Sequence, residues 1–296
     1  MRIAVIGAGG RMGRQRISDL LALGERDILI HDIDWERQFY VGITPDIAAY
    51  RTVPLLLSKQ PDAVLICTPP ATHLDLAWQA YQAGVKAIFV EKPLALTMPT
   101  AEQLAGFAEC VTMVGCNLRW VPGIAGLEAG LPLGENQTGL SVAFYTAYHL
   151  PSVRPDYRES YAATTGALFD VGWHLVDLAL DWLGPAHLHY SSLGSARAID
   201  LPDTDGHAGL ILRHHNGAES LVSVSFVADH YEMAVMVTGP AGCEDWKRTA
   251  PPGPEMFRLE MQHFIECARE GRQTCNPMGS AVAVLRLLLE ARERWH

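Results

Sequence analysis

The feature that most constrains this chain is a glycine-rich turn near its start. Gly7-Ala8-Gly9-Gly10-Arg11-Met12-Gly13 directly follows a short apolar run, residues 3–6. Glycine permits a tight turn and close approach of the backbone to phosphate, and the N-terminus of the following helix attracts an anion. Because Met12 occupies the sixth position of a strict G-x-G-x-x-G pattern, the pattern fits better with Gly7, Gly10 and Gly13 as its glycines. We predict that the turn, from Gly7 through Gly9, Gly10, Arg11 and Met12, binds a dinucleotide; the alternative is an ordinary strand-to-helix turn.

Bulk properties favour a small-molecule ligand. With 33 acidic and 23 basic residues, the net charge is −10, so no chain-wide basic surface exists to attract nucleic acid or anionic lipid. No apolar stretch reaches the roughly 18 residues that span a bilayer, and the glycine-rich start does not resemble a signal peptide. The six cysteines contain no C-x-x-C pair. We therefore expect free thiols and a cytoplasmic protein, without nucleic-acid or membrane partners.

The first 118 residues alternate strand and helix patterns. Short apolar runs predict parallel strands at 2–6, 27–31, 63–67, 86–90 and 112–116. Helical spacing predicts helices at 14–23, 71–83 and 100–110. The pattern predicts an α/β fold whose N-terminal domain, residues 1–118, is a doubly wound parallel Rossmann sheet that binds its ligand at the carboxyl ends of the strands.

Strand patterns dominate after Arg119. The segment 120–139 is rich in glycine and proline and is interpreted as a connector. Strands are predicted at 140–148, 187–195, 208–214, 218–227 and 233–238, with a hairpin turn at Asn216-Gly217. We predict a second, α+β domain over residues 119–296, with a mostly antiparallel sheet that leaves one face open.

Two predicted strand ends carry candidate cofactor residues. Asp32 lies about 20 residues past the glycine turn, where a carboxylate can bind ribose hydroxyls and would repel a 2′-phosphate. NAD is therefore favoured, although the nearby Arg11 and Arg37 leave NADP open; the alternative role for Asp32 is to cap the next helix. Thr68-Pro69-Pro70 predicts an extended loop along the cofactor, with His73 opening the next helix.

The fourth strand runs directly into Glu91-Lys92-Pro93. A lysine at the carboxyl end of a buried strand is costly to bury, so it either extends to solvent or is kept there for a function. Its position predicts that Lys92 reaches the nicotinamide of a bound dinucleotide.

A helix predicted over 166–183 places Asp170, His174, Asp177 and Asp181 roughly along one stripe among apolar residues. Polar groups in such surroundings need a partner or a cavity. For Asp177 and Asp181 we favour a solvated face, whereas Asp170 and His174 are candidate site residues. The alternative for His174 is a hydrogen-bonded core histidine.

The order and spacing of several motifs resemble the Gfo/Idh/MocA family (glucose-fructose oxidoreductase, inositol 2-dehydrogenase and MocA) over nearly the whole length. The motifs are the glycine turn, Pro61-Asp62-Ala63-Val64, Thr68-Pro69-Pro70-x-x-His73, Glu91-Lys92-Pro93, Gly115-Cys116-Asn117-x-Arg119 and Asp170-x-x-x-His174. The resemblance implies an NAD(P)-dependent dehydrogenase acting on a CH–OH group of a sugar, cyclitol or sugar acid. It also implies a homodimer or homotetramer formed through the C-terminal sheet.

The resemblance further implies residue roles. Lys92 and His174 would form the acid/base pair at the nicotinamide, with the primary base left open, and Asp170 would hold an adjacent hydroxyl. Glu91 and Asn117 would contact the cofactor.

Candidate substrate residues, besides Lys92, Asp170 and His174, are Arg119, Tyr148, Arg154 and Tyr157. Aromatic rings and polar groups in 145–161 suit a polyhydroxylated ring, and arginines bind carboxylate or phosphate. This stretch resembles family members associated with surface-sugar synthesis, which points to an acidic or nucleotide-linked sugar. The alternative is a polar interface loop.

Three alternatives compete with a dehydrogenase. A dinucleotide-binding sensor without turnover is disfavoured because Lys92, Asp170 and His174 are all present. An NAD-dependent glycosidase of the same family would use similar residues. A metal site is not expected, because His187-x-His189 and His214-His215 lack a matching carboxylate cluster.

Overall fold

Two six-stranded sheets organise the chain in a computed structural model, which describes residues 1–37, 45–129, 137–156, 162–240 and 242–295. The chain divides into two compact units. The first comprises Met1–Cys116 and Pro254–Val282, and the second comprises Asn117–Gly253 and Ala283–His296. The sequence predicted one boundary, after residue 118; the structure adds the segment Pro254–Val282 from near the C-terminus to the first unit.

The sheet of the first unit is entirely parallel. Its strands are β1 (Arg2–Ile6), β2 (Asp27–His31), β3 (Ile47–Ala49), β4 (Ala63–Ile66), β5 (Ala87–Val90) and β6 (Val111–Val114), in the order β3-β2-β1-β4-β5-β6. All residues of β4, β5 and β6 are buried, as expected of strands covered on both faces. The doubly wound fold is therefore confirmed.

The strand order reverses between β1 and β4. At such a switch point the connections leave toward opposite faces and open a crevice at the carboxyl ends of the strands. Gly7 follows β1 and Cys67 follows β4, so the glycine turn lies at this crevice. The fold thus places the predicted dinucleotide turn where open α/β sheets bind ligands.

The helices of the first unit are α1 (Arg11–Ala22), α2 (Val53–Leu57), α3 (His73–Gln82), α4 (Ala101–Gly106) and α9 (Glu255–Glu270). The three predicted helices are present with shifted ends. Sequence patterns missed β3 and α2 because both are very short, and α2 begins with a proline in its first turn. They gave no prediction for α9 or for α10 (Met278–Glu293).

The second unit contains a mostly antiparallel sheet, as predicted. Its strands are β7 (Ser141–His149), β8 (Ala186–Ala196), β9 (Leu201–His214), β10 (Glu219–Ser225), β11 (Val227–Gly239) and β12 (Gly242–Arg248), in the order β12-β11-β7-β10-β9-β8. Only the β7–β10 pair is parallel among these strands. The predicted turn joins β9 to β10, where the Asn216 side chain accepts a hydrogen bond from Ala218 N at 3.1 Å.

The predicted helix 166–183 is built from three pieces. A short helix α7 (Ala162–Ala167) leads into a π-helical turn, Leu168–Gly172, followed by α8 (Trp173–Leu183). All five residues of the π-helical turn are buried. Asp170 therefore lies inside the unit and not on a solvated face. The remaining short helices of this unit are α5 (Ile124–Ala129) and α6 (Leu150–Val153). None of the helices in the described ranges is long and apolar enough to cross a membrane.

Candidate functional site

The glycine turn is shaped by steric requirements at three of its glycines. Gly7 has φ +83°, and a Cβ there would lie 2.7 Å from the carbonyl oxygen of the residue after β4. A Cβ at Gly9 would lie 2.5 Å from Arg37 Cβ, and one at Gly13 would overlap the Gly7 carbonyl oxygen. At Gly10 the nearest atom would be 3.3 Å away. A Cβ would therefore be tight at Gly10 as well, but the most severe overlaps are at Gly7, Gly9 and Gly13.

Asp32 closes this turn from the end of β2. Its Oδ2 accepts a hydrogen bond from Gly9 N at 2.8 Å, and its Oδ1 accepts one from Asp34 N at 3.0 Å. Arg37 pairs with Asp34 at 3.1 Å on the surface. The carboxylate is thus fixed beside the glycine turn, as a ribose-binding group requires, and it also orders the loop that follows β2.

His73 opens α3, as predicted, but its side chain is fully buried. Its Nδ1 lies 2.8 Å from Pro93 O, and its Nε2 lies 2.7 Å from Thr68 O. Burial lowers the pKa of this imidazole, although both carbonyl contacts oppose the shift. Through these two contacts His73 ties the loop after β4 to the loop after β5. Its predicted role at the cofactor stays a prediction.

Lys92 stands half-buried at the end of β5, next to a buried ion-pair network. Glu91 Oε1 accepts from Arg16 Nε at 2.7 Å, and Glu260 Oε2 accepts from Arg16 Nη2 at 2.5 Å. The other Glu260 oxygen accepts from Cys116 N at 2.5 Å. Glu91 therefore holds the loop of Lys92 to α1 and α9, and its predicted contact with the cofactor stays a prediction.

The buried ion-pair network contains one guanidinium and two carboxyl groups. The Arg16 side chain is 1% exposed and carries one positive charge between two carboxyl groups. Burial, assisted by Glu91 and opposed by Arg16, raises the pKa of Glu260 to about 7. A sequence signal for Arg16 exists. This charged residue lies on the buried stripe of α1, together with Gly13, Ile17 and Leu20.

In the second unit, two predicted residues, Tyr148 and Arg154, lie against Asp170. Its carboxylate is fully buried, and Arg154 Nη1 lies 2.9 Å from its Oδ2. The Tyr148 hydroxyl lies 3.5 Å from the same oxygen. Burial and the neighbouring Asp170 raise the pKa of Tyr148 well above its usual value. His174 lies four residues further on, in the first turn of α8, and is half-buried.

Arg119 has partners on the same helix. Its Nε and Nη2 donate to the two carboxylate oxygens of Asp177 at 2.6 and 2.8 Å, and its Nη1 donates to Asp181. Asp177 is 1% exposed, so the expectation of a solvated face is wrong for this residue. Burial raises the pKa of Asp181 to about 6 although Arg119 opposes the shift. Both carboxylates thus hold Arg119 against α8, and its predicted contact with the substrate stays a prediction.

The remaining predicted residues differ in what the structure says of them. Asn117 Oδ1 is buried and has no hydrogen-bond partner within the described part of the chain, which is typical of a group that binds a ligand. Thr68 is half-buried and Pro69 exposed after β4, while Arg11 is exposed at the start of α1. Tyr157 lies outside the described residues.

These features can be tested against a dinucleotide. A Cβ at Gly7 or Gly9 would fill the space at the glycine turn, and Asp32 lies beside that turn. Backbone approach to phosphate and a carboxylate for ribose are what a dinucleotide site requires, so the residues fit.

Comparisons with known proteins agree with this geometry. Residues 1–115 match the family described as "Oxidoreductase family, NAD-binding Rossmann fold", and residues 138–243 match the family described as "GFO/IDH/MocA C-terminal domain". The first match lies within the first compact unit and the second match within the second.

Individual relatives carry named activities. The chain is 25% identical to scyllo-inositol 2-dehydrogenase (NAD(+)) of Bacillus subtilis, over 92% of the chain and 87% of that protein. It is 30% identical to UDP-N-acetylglucosamine 3-dehydrogenase of Acidithiobacillus ferrooxidans, over 69% of the chain and 61% of that protein. The crystal structure of GenD2 from gentamicin A biosynthesis in complex with NAD superposes with a TM-score of 0.83 at 24% identity, covering 99% of this chain and 93% of that one.

Proposed function

The chain belongs to the GFO/IDH/MocA family of NAD-binding oxidoreductases, and we propose that it transfers hydride between NAD and a hydroxyl-bearing carbon of a sugar or cyclitol. The observation that carries this proposal is the fixed position of Lys92 at the end of β5, where Glu91 and buried Arg16 hold its loop. This is the sheet edge at which doubly wound folds bind ligands.

The chemistry needs a proton-transfer group. NAD, when bound, supplies the hydride acceptor. Oxidation of an alcohol also requires removal of the hydroxyl proton, and we assign this transfer to Lys92 and His174. Asp170 pairs with Arg154 and is proposed to accept a hydrogen bond from a neighbouring substrate hydroxyl.

A panel of sugars, cyclitols and sugar acids with NAD and NADP in parallel tests this function, read as nicotinamide absorbance. Lys92→Ala should lower kcat about 100-fold while leaving the dissociation constant of NADH within threefold, because general acid–base catalysis contributes roughly that much. Lys86→Ala is the matched control, since Lys86 is exposed just before the opposite end of β5. If the Lys92 variant lost NADH affinity by the same factor as kcat, Lys92 would be a structural residue. Sugar release without net nicotinamide reduction would instead indicate a glycosidase, and NADH binding without turnover a sensor.

We propose NAD in preference to NADP. Asp32 presents a carboxylate beside the glycine turn, where a 2′-phosphate would be repelled, and Arg37 is paired with Asp34. Asp32→Ser should raise the catalytic efficiency with NADP relative to NAD by at least tenfold. An unchanged ratio would remove Asp32 from cofactor choice.

We propose that the substrate is rich in hydroxyl groups. Arg154 and the Tyr148 hydroxyl surround Asp170 with hydrogen-bonding groups suited to such a ring, and one relative is named as an inositol dehydrogenase and another as a nucleotide-sugar dehydrogenase. The free cysteines of the chain suit the reducing cytoplasm, where we place the protein.

We further propose that the open face of the second sheet binds a second copy of the chain. The strand register places Tyr190, Ile211, Leu221, Ala143 and Met236 in one row across five strands. The three largest exposed members, Tyr190, Leu221 and Met236, are 54%, 45% and 47% exposed. An apolar row continuous across a sheet is typical of self-association. Leu221→Lys should lower the mass in solution by light scattering toward that of one chain, and a wild-type monomer would contradict the proposal.

A further inference from the structure

The helical stretch that carries Asp170 and His174 begins at a break in the backbone. Gly166 has φ +76° and ψ −179°, a conformation essentially restricted to glycine. The space beside it is filled by Asp205 of β9, and a Cβ at Gly166 would overlap the Asp205 carboxylate. The missing side chain at Gly166 thus makes room for the side chain of Asp205.

Asp205 uses this space to bind the start of the π-helical turn. Its Oδ2 accepts a hydrogen bond from Leu168 N at 2.7 Å, and the residue is 3% exposed. The first N–H groups of a helical segment have no partner within the segment, so an external acceptor fixes where the segment begins. Leu168 lies two residues before Asp170, so movement at this bond is transmitted directly to the Asp170 carboxylate.

Neighbouring contacts support the same segment. Thr204, the residue before Asp205, donates from its hydroxyl to Ala163 O at 2.6 Å, on the other side of the break. The Arg292 guanidinium lies 4.4 Å from the ring centre of Phe169 and is also the cation that faces Asp205. Burial raises the pKa of Asp205 to about 6, with the Leu168 amide and Arg292 opposing the shift. An aspartate kept in such surroundings needs the hydrogen bonds that it makes.

We propose that Asp205 is a positioning residue for the reaction: it fixes the π-helical turn through Leu168 N, and thereby sets the positions of Asp170 and His174. The inference rests on the proposed function for the roles of those two residues. Asp205 acts through the backbone. We expect its loss to lower kcat because small displacements of reacting groups cost rate steeply.

The chain offers a matched pair of glycines for the test. Gly184, at the end of α8, has φ +77° and ψ −169°, nearly the conformation of Gly166, but a Cβ there would meet nothing within 4 Å. Gly166→Ala and Gly184→Ala therefore impose the same backbone strain at the two ends of one helical stretch, and only the first displaces Asp205. We expect Gly166→Ala to lower kcat at least tenfold more than Gly184→Ala. Equal effects would overturn the proposal.

Variants of Asp205 complete the test. Asp205→Ala should lower kcat about 10- to 100-fold with the NAD KM within twofold, and Asp205→Asn should recover most of the rate because its amide oxygen can still accept from Leu168 N. Asp203→Ala, two residues away and exposed on the same strand, is the control. In the double variant Gly166→Ala/Asp205→Ala the overlap is absent, so the double loss should be smaller than the product of the two single losses. If the loss in the double variant equalled the product of the two single losses, Gly166 and Asp205 would act independently, which would contradict the proposal.

Hydrogen exchange separates this inference from the proposed function. Peptides covering 162–183 should exchange faster in Asp205→Ala and Gly166→Ala than in Gly184→Ala. If the wild-type protein turned over no polyol, the proposed function would fail while this contrast still decided whether Asp205 holds the segment. Unchanged exchange in both variants would overturn the positioning role.

Discussion

Two arginines hold carboxylates next to proposed reacting residues, but in different ways. Arg16 is 1% exposed and binds both Glu91 and Glu260 beside Lys92. Arg154 is 18% exposed and binds Asp170 ahead of His174. An arginine without access to water cannot exchange its partners, whereas a partly exposed one can turn toward a ligand. The first arrangement is therefore a fixed structural contact, and we propose the second as part of the substrate site.

Arg119 lies between these extremes. Its side chain is 8% exposed and its partner Asp177 is 2% exposed. The three arginines thus form a series of increasing exposure. If burial distinguishes a structural arginine from a ligand-binding one, removing the guanidinium should lower the unfolding free energy most for Arg16, less for Arg119 and least for Arg154.

The largest effect is expected for Arg16→Met. Removing the guanidinium leaves two buried carboxyl groups without their cation, and breaking a buried pair costs about 3–5 kcal/mol. Urea unfolding followed by circular dichroism measures the loss. Arg14→Met, an exposed substitution on the same helix, is the control. A loss below about 1 kcal/mol for Arg16→Met would show that the network does not support the fold.

The next effect concerns pH and Glu260. Its pKa is raised in the folded protein from 4.5 to about 7, so between these values the folded state binds a proton that the unfolded state has released. Stability from this group is therefore greatest at low pH and is lost as pH rises from about 5 to 7. The unfolding free energy of the wild type relative to Glu260→Gln should fall over this range by about 2–3 kcal/mol, since one pKa unit is worth 1.36 kcal/mol. A difference in unfolding free energy that stays constant with pH would contradict the raised pKa of Glu260.

Arg119→Met should cost about 2–3 kcal/mol of unfolding free energy, less than Arg16→Met, because its second partner Asp181 retains contact with water. The same urea titration measures it. Arg213→Met, which removes an exposed ion pair with Glu219, should change stability by less than about 1 kcal/mol. A larger loss for Arg119→Met than for Arg16→Met would break the order of the series.

The series also shows what the sequence could and could not predict. The Rossmann topology followed from buried apolar strands and a glycine turn, which are local patterns. Lys92, Asp170 and His174 were recognised because they stand in short motifs. The pairing of Arg16 with Glu260 was missed because the two residues are 244 positions apart and share no local pattern. Asp205 was missed for the same reason, since its partner Leu168 lies 37 positions away on another element.

Arg154→Met should have the smallest effect on stability and a larger one on turnover. Water can reach the exposed side of Arg154 and solvate Asp170 when the guanidinium is removed, so we expect a loss of about 1–2 kcal/mol in unfolding free energy. The proposed substrate loses a charged partner, and the catalytic efficiency should fall about 10- to 100-fold, chiefly through the substrate KM. Arg154→Lys keeps the charge without the forked geometry and should recover stability before efficiency. If Arg154→Met destabilised the protein as much as Arg16→Met while leaving the substrate KM unchanged, Arg154 would be a structural residue, and the distinction between the two arginines would fail.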